Sequence, residues 1–259
     1  MSFPFLIPPT WSVPAAGHSA SWGRLIGASA ALATAELANR VERPILVLAE
    51  DPRHADQIEA EIRFFAGDEL PVLHFVEWET LPWDSFSPHQ DIISQRLAVL
   101  AALPAFRRGI VIAATSVLQQ RLPPTNYVAA RSLSLSSGQS LPREPFIDAL
   151  VSAGYARVPQ VSEHGEFAVR GSLIDLFPMG TETPLRIDFL DDDIESLRHF
   201  SAETQISGES VDSVEILPAR EVPLDADAIH GFRDRYRERF EGQPAKSRVY
   251  RDISDGIAH

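Results

Sequence analysis

The chain contains no cysteine. That excludes thiol nucleophiles, disulfides and zinc sites built on thiolates. Lysine is almost as scarce: Lys246 is the only one, and every other basic residue except histidine is arginine. A P-loop needs a lysine directly after its glycine turn to reach the β- and γ-phosphates. Lys246 lies in Gly242-Gln243-Pro244-Ala245-Lys246-Ser247, too short and too proline-interrupted to form that loop. Schiff-base chemistry would have this one amine and no other.

Long apolar runs are also missing. None approaches the roughly 18 residues that cross a bilayer. The apolar start, Met1 to Thr10, holds Pro4, Pro8 and Pro9, and the first cation is Arg24, so the basic leader of a signal peptide is not there. A cytoplasmic protein without membrane contact is the expectation. Positive charge is in deficit: 23 Lys and Arg stand against 36 Asp and Glu, a net charge of −13 at pH 7. Such a chain repels phosphate backbones, which disfavours a free-standing non-specific nucleic-acid binder.

What is present suits one large or two small globular domains: 259 residues, 44% of them hydrophobic. An alanine-rich helix is expected over residues 29–41. Pro44 to Ala49 is a short continuous apolar run, as in a buried parallel strand. Asp51 and Pro52 then supply an N-cap and a first-turn proline for a helix bearing Ile58, Ile62 and Phe65. Residues 71–76 and 109–114 read as further strands, with a helix from about Asp91 between them. This alternation argues for βαβ units and a parallel sheet.

The pattern changes near Pro123-Pro124. Residues 131–135 alternate polar and apolar, and Ser140 is placed to cap a helix carrying Phe146, Ile147 and Leu150 and ending at Gly154. Strands follow over 166–169, 172–177, 184–190 and 194–200, with a hairpin turn at Asp191-Asp192-Asp193. This block reads as a small α+β domain with an antiparallel sheet. From about Ser207 a third block holds a strand over 211–217 and a charged helix over 226–240. No closing element is visible after it, which points to a piece of a longer protein. None of the three blocks is a basic footprint.

Two long segments carry a resemblance. One is Trp78-Glu-Thr-Leu-Pro-Trp-Asp-Ser-Phe-Ser-Pro-His-Gln-Asp-Ile-Ile-Ser-Gln-Arg-Leu97. The other is Glu163-His-Gly-Glu-Phe-Ala-Val-Arg-Gly-Ser-Leu-Ile-Asp-Leu-Phe-Pro-Met-Gly180, followed by Arg186-Ile-Asp-Phe-Leu-Asp-Asp-Asp-Ile-Glu-Ser-Leu. Together they resemble the N-terminal, UvrB-like region of the bacterial transcription-repair coupling factors. The resemblance implies an α/β fold: a RecA-like parallel-sheet domain in two sequence segments, 1–123 and 205–259, with an inserted α+β antiparallel-sheet domain at 124–204. It implies more chain after His259, including motor domains that this sequence lacks.

The resemblance also marks departures. Where UvrB-like helicases carry a P-loop, this chain has Gly27, Ala28, Ser29, Ala30 and Ala31, with no lysine and no Ser/Thr pair for magnesium. A helix N-terminus attracts anions, but without lysine and metal ligand it cannot organise phosphoryl transfer. A degenerate loop, no catalysis, no cofactor and no metal are the expectation. The loop after Val76, with Trp78, Trp83 and Phe86, looks too short for the DNA-clamping hairpin of UvrB. The middle block retains the pattern of the UvrB surface that docks onto UvrA: Arg157 and Arg170 match arginines of that motif, Ala168 replaces a third, and Arg186, Asp188 and Phe189 form the neighbouring strand. Arginine suits such a face because its planar fork pairs bidentately with carboxylates.

The implied function is a non-catalytic adaptor that recruits UvrA to stalled RNA polymerase in transcription-coupled nucleotide excision repair. RNA polymerase and DNA would be engaged through the rest of the full-length protein. The alternatives are a nucleotide-dependent helicase or nuclease subunit using the Gly27 turn, and a DNA-binding module in which Trp78 and Trp83 stack on bases. Asp191 to Asp193 read as solvent-exposed turn residues rather than a metal site. Glu163, His164 and Glu166 lack the His-Glu-x-x-His pairing of a zinc protease, and there is no Gly-x-Ser-x-Gly elbow.

Overall fold

The computed structural model describes residue 7, residues 12–67, 69–81 and 84, and residues 86–257. In chain order the elements are α1 (Ser29–Arg40), β1 (Pro44–Ala49), α2 (Pro52–Ala66), β2 (Val72–Phe75), α3 (Gln90–Ala102), β3 (Gly109–Ala114), α4 (Tyr127–Arg131), β4 (Leu133–Ser136), α5 (Arg143–Ser152), β5 (Ala156–Arg157), β6 (Glu166–Arg170), β7 (Leu173–Leu176), β8 (Leu185–Leu190), β9 (Asp193–Phe200), β10 (Ser207–Val211), β11 (Ser213–Ile216), α6 (Ala226–Arg239) and α7 (Arg248–Ser254). The fold is mixed α/β, with one parallel sheet and two sheets built mainly or wholly from antiparallel pairs. The chain divides into two compact units.

The first unit comprises residues 1–77 and 102–121. Its sheet has the order β1-β3-β2, all parallel. β3, Gly-Ile-Val-Ile-Ala-Ala, is buried along its whole length, as a central strand of unbroken apolar residues should be. α2 starts as its sequence dictates. The Asp51 carboxylate accepts from the His54 N–H at 2.8 Å, Pro52 occupies the first turn, and Gly67 closes the helix at φ +68°. α1 buries Ala31, Ala33, Ala35 and Ala38, whose small side chains let it pack close to α2. Gly109 is obligatory. Its φ is +125°, and a Cβ there would sit 2.4 Å from the Pro71 carbonyl oxygen. One expectation is corrected. β1 is not a buried strand, for it lies at the sheet edge with Leu46 and Leu48 about half exposed. An apolar run reads the same whether both of its faces are covered or only one.

The second unit comprises residues 78–101 and the chain from 122 onward. Its main sheet has the order β10-β9-β8-β7-β6-β5; every pair is antiparallel except β5 with β6. Alternation along these strands sends Phe167, Ile174, Leu176, Leu185, Ile187 and Leu197 to one face. There they form a single core with Phe146, Ile147 and Leu150 of α5 and Leu97 of α3. At the β8–β9 pair the register shifts between Asp188 and Phe189, so Ile194 and Leu197, three apart, both face inward. β4 and β11 form a separate antiparallel pair, from Ser136 opposite Ser213 to Leu133 opposite Ile216.

Polar ties hold this core. Arg96, fully buried, donates to both oxygens of the Glu221 carboxylate at 2.5 and 3.1 Å, and the Trp78 indole N–H donates to the same carboxylate at 3.2 Å. Arg96 also lies over the Trp78 ring, 4.7 Å from its centroid. Trp78 thus stacks on a cation rather than filling a purely apolar niche, while Trp83 lies outside the described residues. The Tyr155 hydroxyl donates to the Leu217 carbonyl at 2.7 Å, and burial pushes its pKa well up.

Two local expectations also differ. Ser140 does not cap α5, which starts at Arg143 after Pro142; Ser140 instead bridges to Asp193. The chain after residue 240 is not featureless, because α7 follows, with Tyr250 packed against Tyr236 and Phe232 of α6. α7 is seven residues long, too short for periodicity to expose.

Candidate functional site

The main sheet of the second unit has one face under α5 and another whose side chains alternate with the core residues. On that second face, register aligns Ala168 of β6, Asp175 of β7, Arg186 of β8 and Arg198 of β9 in one cross-strand row. Arg170, Leu173, Asp188 and Ser196 form the next row. A small apolar patch of Val161, Ala168, Phe177 and Phe200 lies beside them.

Asp175 organises these rows. It interrupts the apolar run Leu173-Ile174-Asp175-Leu176-Phe177 and is 1% exposed. Arg186 grips it bidentately, Nε to one oxygen at 2.7 Å and Nη2 to the other at 2.9 Å. The third nitrogen, Nη1, donates to the Ser207 hydroxyl at 2.9 Å and the Gln205 carbonyl at 3.3 Å. The guanidinium also lies 4.8 Å from the Phe200 ring centroid. The hydrogen bond to Asp175 makes Arg186 hold its proton more firmly than a free arginine. Arg170 reaches the same carboxylate at 3.9 Å and donates to the Pro159 carbonyl at 3.2 Å, with its side chain 40% exposed. Asp188 accepts from the Ser172 hydroxyl at 3.2 Å. The turn between β6 and β7 passes through Gly171 at φ +62°, a conformation glycine adopts without strain.

The residues singled out in the sequence therefore separate. Arg170, Arg186 and Asp188 share a face. Arg157 sits on the edge strand β5, exposed, in parallel register with Phe167 and so off the row that carries Arg170. Phe189 is corrected from a contact residue to a core residue. It packs among the apolar side chains, 6.3 Å from the ring of Phe146, because it alternates with Asp188 along β8. Asp175 and Arg198 were not singled out, although a lone carboxylate inside an apolar strand was a visible signal for Asp175.

The other sequence candidates occupy structural roles. Each ring nitrogen of His164 faces an acceptor: Asp91 Oδ1 at 2.7 Å and the Thr181 carbonyl at 2.7 Å, and the ring stacks on Phe177. One Glu166 oxygen accepts from the backbone N–H groups of Ser162 and Glu163, capping that turn. Asp191 and Asp192 make the exposed β8–β9 turn, with Asp191 at φ +58°. At the Gly27 turn, φ is +58°, and the Ser29 hydroxyl donates to the Ile26 carbonyl at 2.9 Å. Among the described residues no helix is long and apolar enough to cross a membrane.

Residues 133–222, which contain every member of the two rows, match the UvrB interaction domain family. Beyond that segment, the chain is 44% identical over 241 residues to the transcription-repair-coupling factor of Escherichia coli, covering 93% of this chain and 21% of that protein. It is 40% identical over 235 residues to the Haemophilus influenzae factor, covering 90% and 20%. With the Bacillus subtilis factor the identity is 28% over 198 residues, covering 76% and 17%. The chain thus spans about a fifth of the length of the curated relatives it matches. The arginine-bearing sheet lies inside the matched interaction domain, and the similarity to part of the transcription-repair-coupling factors runs through both units of the chain.

Proposed function

We propose that this chain is a non-catalytic docking module, whose working surface is the sheet face bearing Arg170, Arg186 and Asp188, with Arg157 at its edge. The partner is UvrA, and the larger protein uses this contact to bring UvrA to stalled RNA polymerase in transcription-coupled nucleotide excision repair. RNA polymerase and DNA are engaged by other parts of that protein. The inserted partner-binding domain is 124–204, and the first unit is a RecA-like domain whose phosphate loop has degenerated at Gly27 to Ala31. Residues 205–259, which the resemblance assigns to a second segment of that domain, fall in the second unit instead, β10 pairing with β9 of the inserted sheet.

The observation that carries this reading is the organised arginine pair within residues 133–222: Arg186 fixed by a buried carboxylate and Arg170 beside it, still partly exposed. Pre-fixed arginines lose little side-chain entropy on binding, which favours them as interface anchors. The Gly27 turn supports the non-catalytic part. It offers a helix N-terminus without lysine, and the first helical hydroxyl, Ser29, is engaged with its own backbone.

Calorimetric titration of UvrA into the chain tests the reading. Saturable binding is expected, weakened about tenfold or more in Arg170→Ala, the loss of an interface arginine costing about 2 kcal/mol. Unchanged binding in a folded Arg170→Ala protein would overturn the site. ATP added to the chain with magnesium is expected to show neither saturation nor turnover, and turnover would restore the enzyme alternative.

A further inference from the structure

We infer that Arg198 is a further anchoring arginine of this face and that the protein surface it meets carries carboxylates. The inference rests on the docking reading above and deepens it. Arg198 of β9 is the register partner of Arg186 of β8. Residues paired in this way lie on one face with Cβ atoms about 5 Å apart, and like charges so placed destabilise a sheet.

The two arginines are treated differently by the fold. Arg186 has its charge met internally by Asp175, and its remaining nitrogen is taken by Ser207 and Gln205. Arg198 is exposed and, among the described residues, has neither an ion-pair partner nor a side-chain hydrogen bond. Its neighbour on the other side, Ser210 of β10, supplies no charge. Carboxylates abound in a chain of net charge −13, yet at this position the fold supplies none. A cation held uncompensated next to another cation contributes nothing to folding, but its five donors are available to an outside anion.

The neighbouring groups favour a protein over a nucleic acid. Asp188 lies on the same face, one step along β8 from Arg186. A polyphosphate backbone would be repelled there, whereas a protein surface can set a donor against Asp188 and carboxylates against Arg170 and Arg198.

The test is calorimetry with UvrA, using wild type, Arg170→Ala, Arg198→Ala and Arg198→Glu, with thermal unfolding of each protein alone. A duplex DNA probe is titrated in parallel. Arg198→Ala is expected to weaken UvrA binding about tenfold and Arg198→Glu more, with unfolding temperatures unchanged or raised because the like-charge pair is gone. Wild-type affinity in both Arg198 variants, beside a loss in Arg170→Ala, would overturn this inference and leave the docking face standing. No UvrA binding by wild type would remove the docking reading and this one with it. A marked fall in unfolding temperature, or a loss confined to the DNA probe, would also overturn the assignment to Arg198.

Discussion

Asp175 is held by Arg186 through both carboxylate oxygens and stands 3.9 Å from Arg170. One buried acid thus sets the position of two arginines that come from different strands. Arg186 would otherwise lose about 2 kcal/mol of rotamer freedom on being fixed by a partner. The fold meets that cost before any partner arrives, so the face is pre-organised for binding.

The first consequence concerns stability. Asp175→Ala removes the acceptor of two charge-assisted hydrogen bonds and leaves Arg186 half-buried without its counter-charge. We expect a loss of about 3 kcal/mol in urea unfolding. A loss below about 0.5 kcal/mol would show that Asp175 does not organise the face.

Arg170 should behave in the opposite way. Its contact with Asp175 is long and its side chain is well exposed, so solvent screens the pair. Arg170→Ala is expected to leave unfolding free energy within about 0.5 kcal/mol of wild type. A large destabilisation would make it a structural residue and undercut its use as a binding probe.

The pair in the second unit's core makes a stronger demand. Arg96 is fully buried against Glu221, and Glu221→Ala would leave that cation unmatched. We expect about 3–5 kcal/mol of destabilisation. Replacing both residues by apolar ones, Arg96→Met with Glu221→Leu, should recover much of it, because desolvation of both charges disappears. Chemical denaturation of the three proteins decides this, and a double variant no more stable than Glu221→Ala would contradict it.

Acid sensitivity follows from Glu59 of α2. The His74 ring, 2.7 Å away, and Arg63 hold the Glu59 carboxyl below its ordinary 4.5 against the opposing effect of burial. A carboxyl depressed on folding contributes stability that is complete above its unfolded value and is lost as pH falls through the folded value. Thermal unfolding between pH 5 and pH 3 should therefore fall by a few degrees more in wild type than in Glu59→Gln. Parallel curves for the two proteins would refute the assignment.

Much of the architecture was legible along the chain because the signals are local. Asp51-Pro52 announced α2, and the apolar run 109–114 announced β3. The residue pattern announced β8, on which the resemblance had marked Arg186 and Asp188. Legibility failed where a second element decides the outcome. Leu46 and Leu48 look like core residues until the strand order places β1 at an edge. Nothing local to Trp78 foretold that Arg96 and Glu221, distant in sequence, would meet it. Phe189 looked like part of a contact strand, yet its turn of the pleat points into the core.

By itself the sequence determined which chemistry is missing and which segments form strands and helices, since a residue's type and the spacing of apolar side chains act within a few positions. It also carried the resemblance to the transcription-repair coupling factors, through two motifs too long to arise from composition. Only the tertiary structure decided that Asp175, Arg170, Arg186 and Arg198 share a face. Register between strands β6, β7, β8 and β9 is fixed by how their opposite sides pack against α5, and no single strand carries that information.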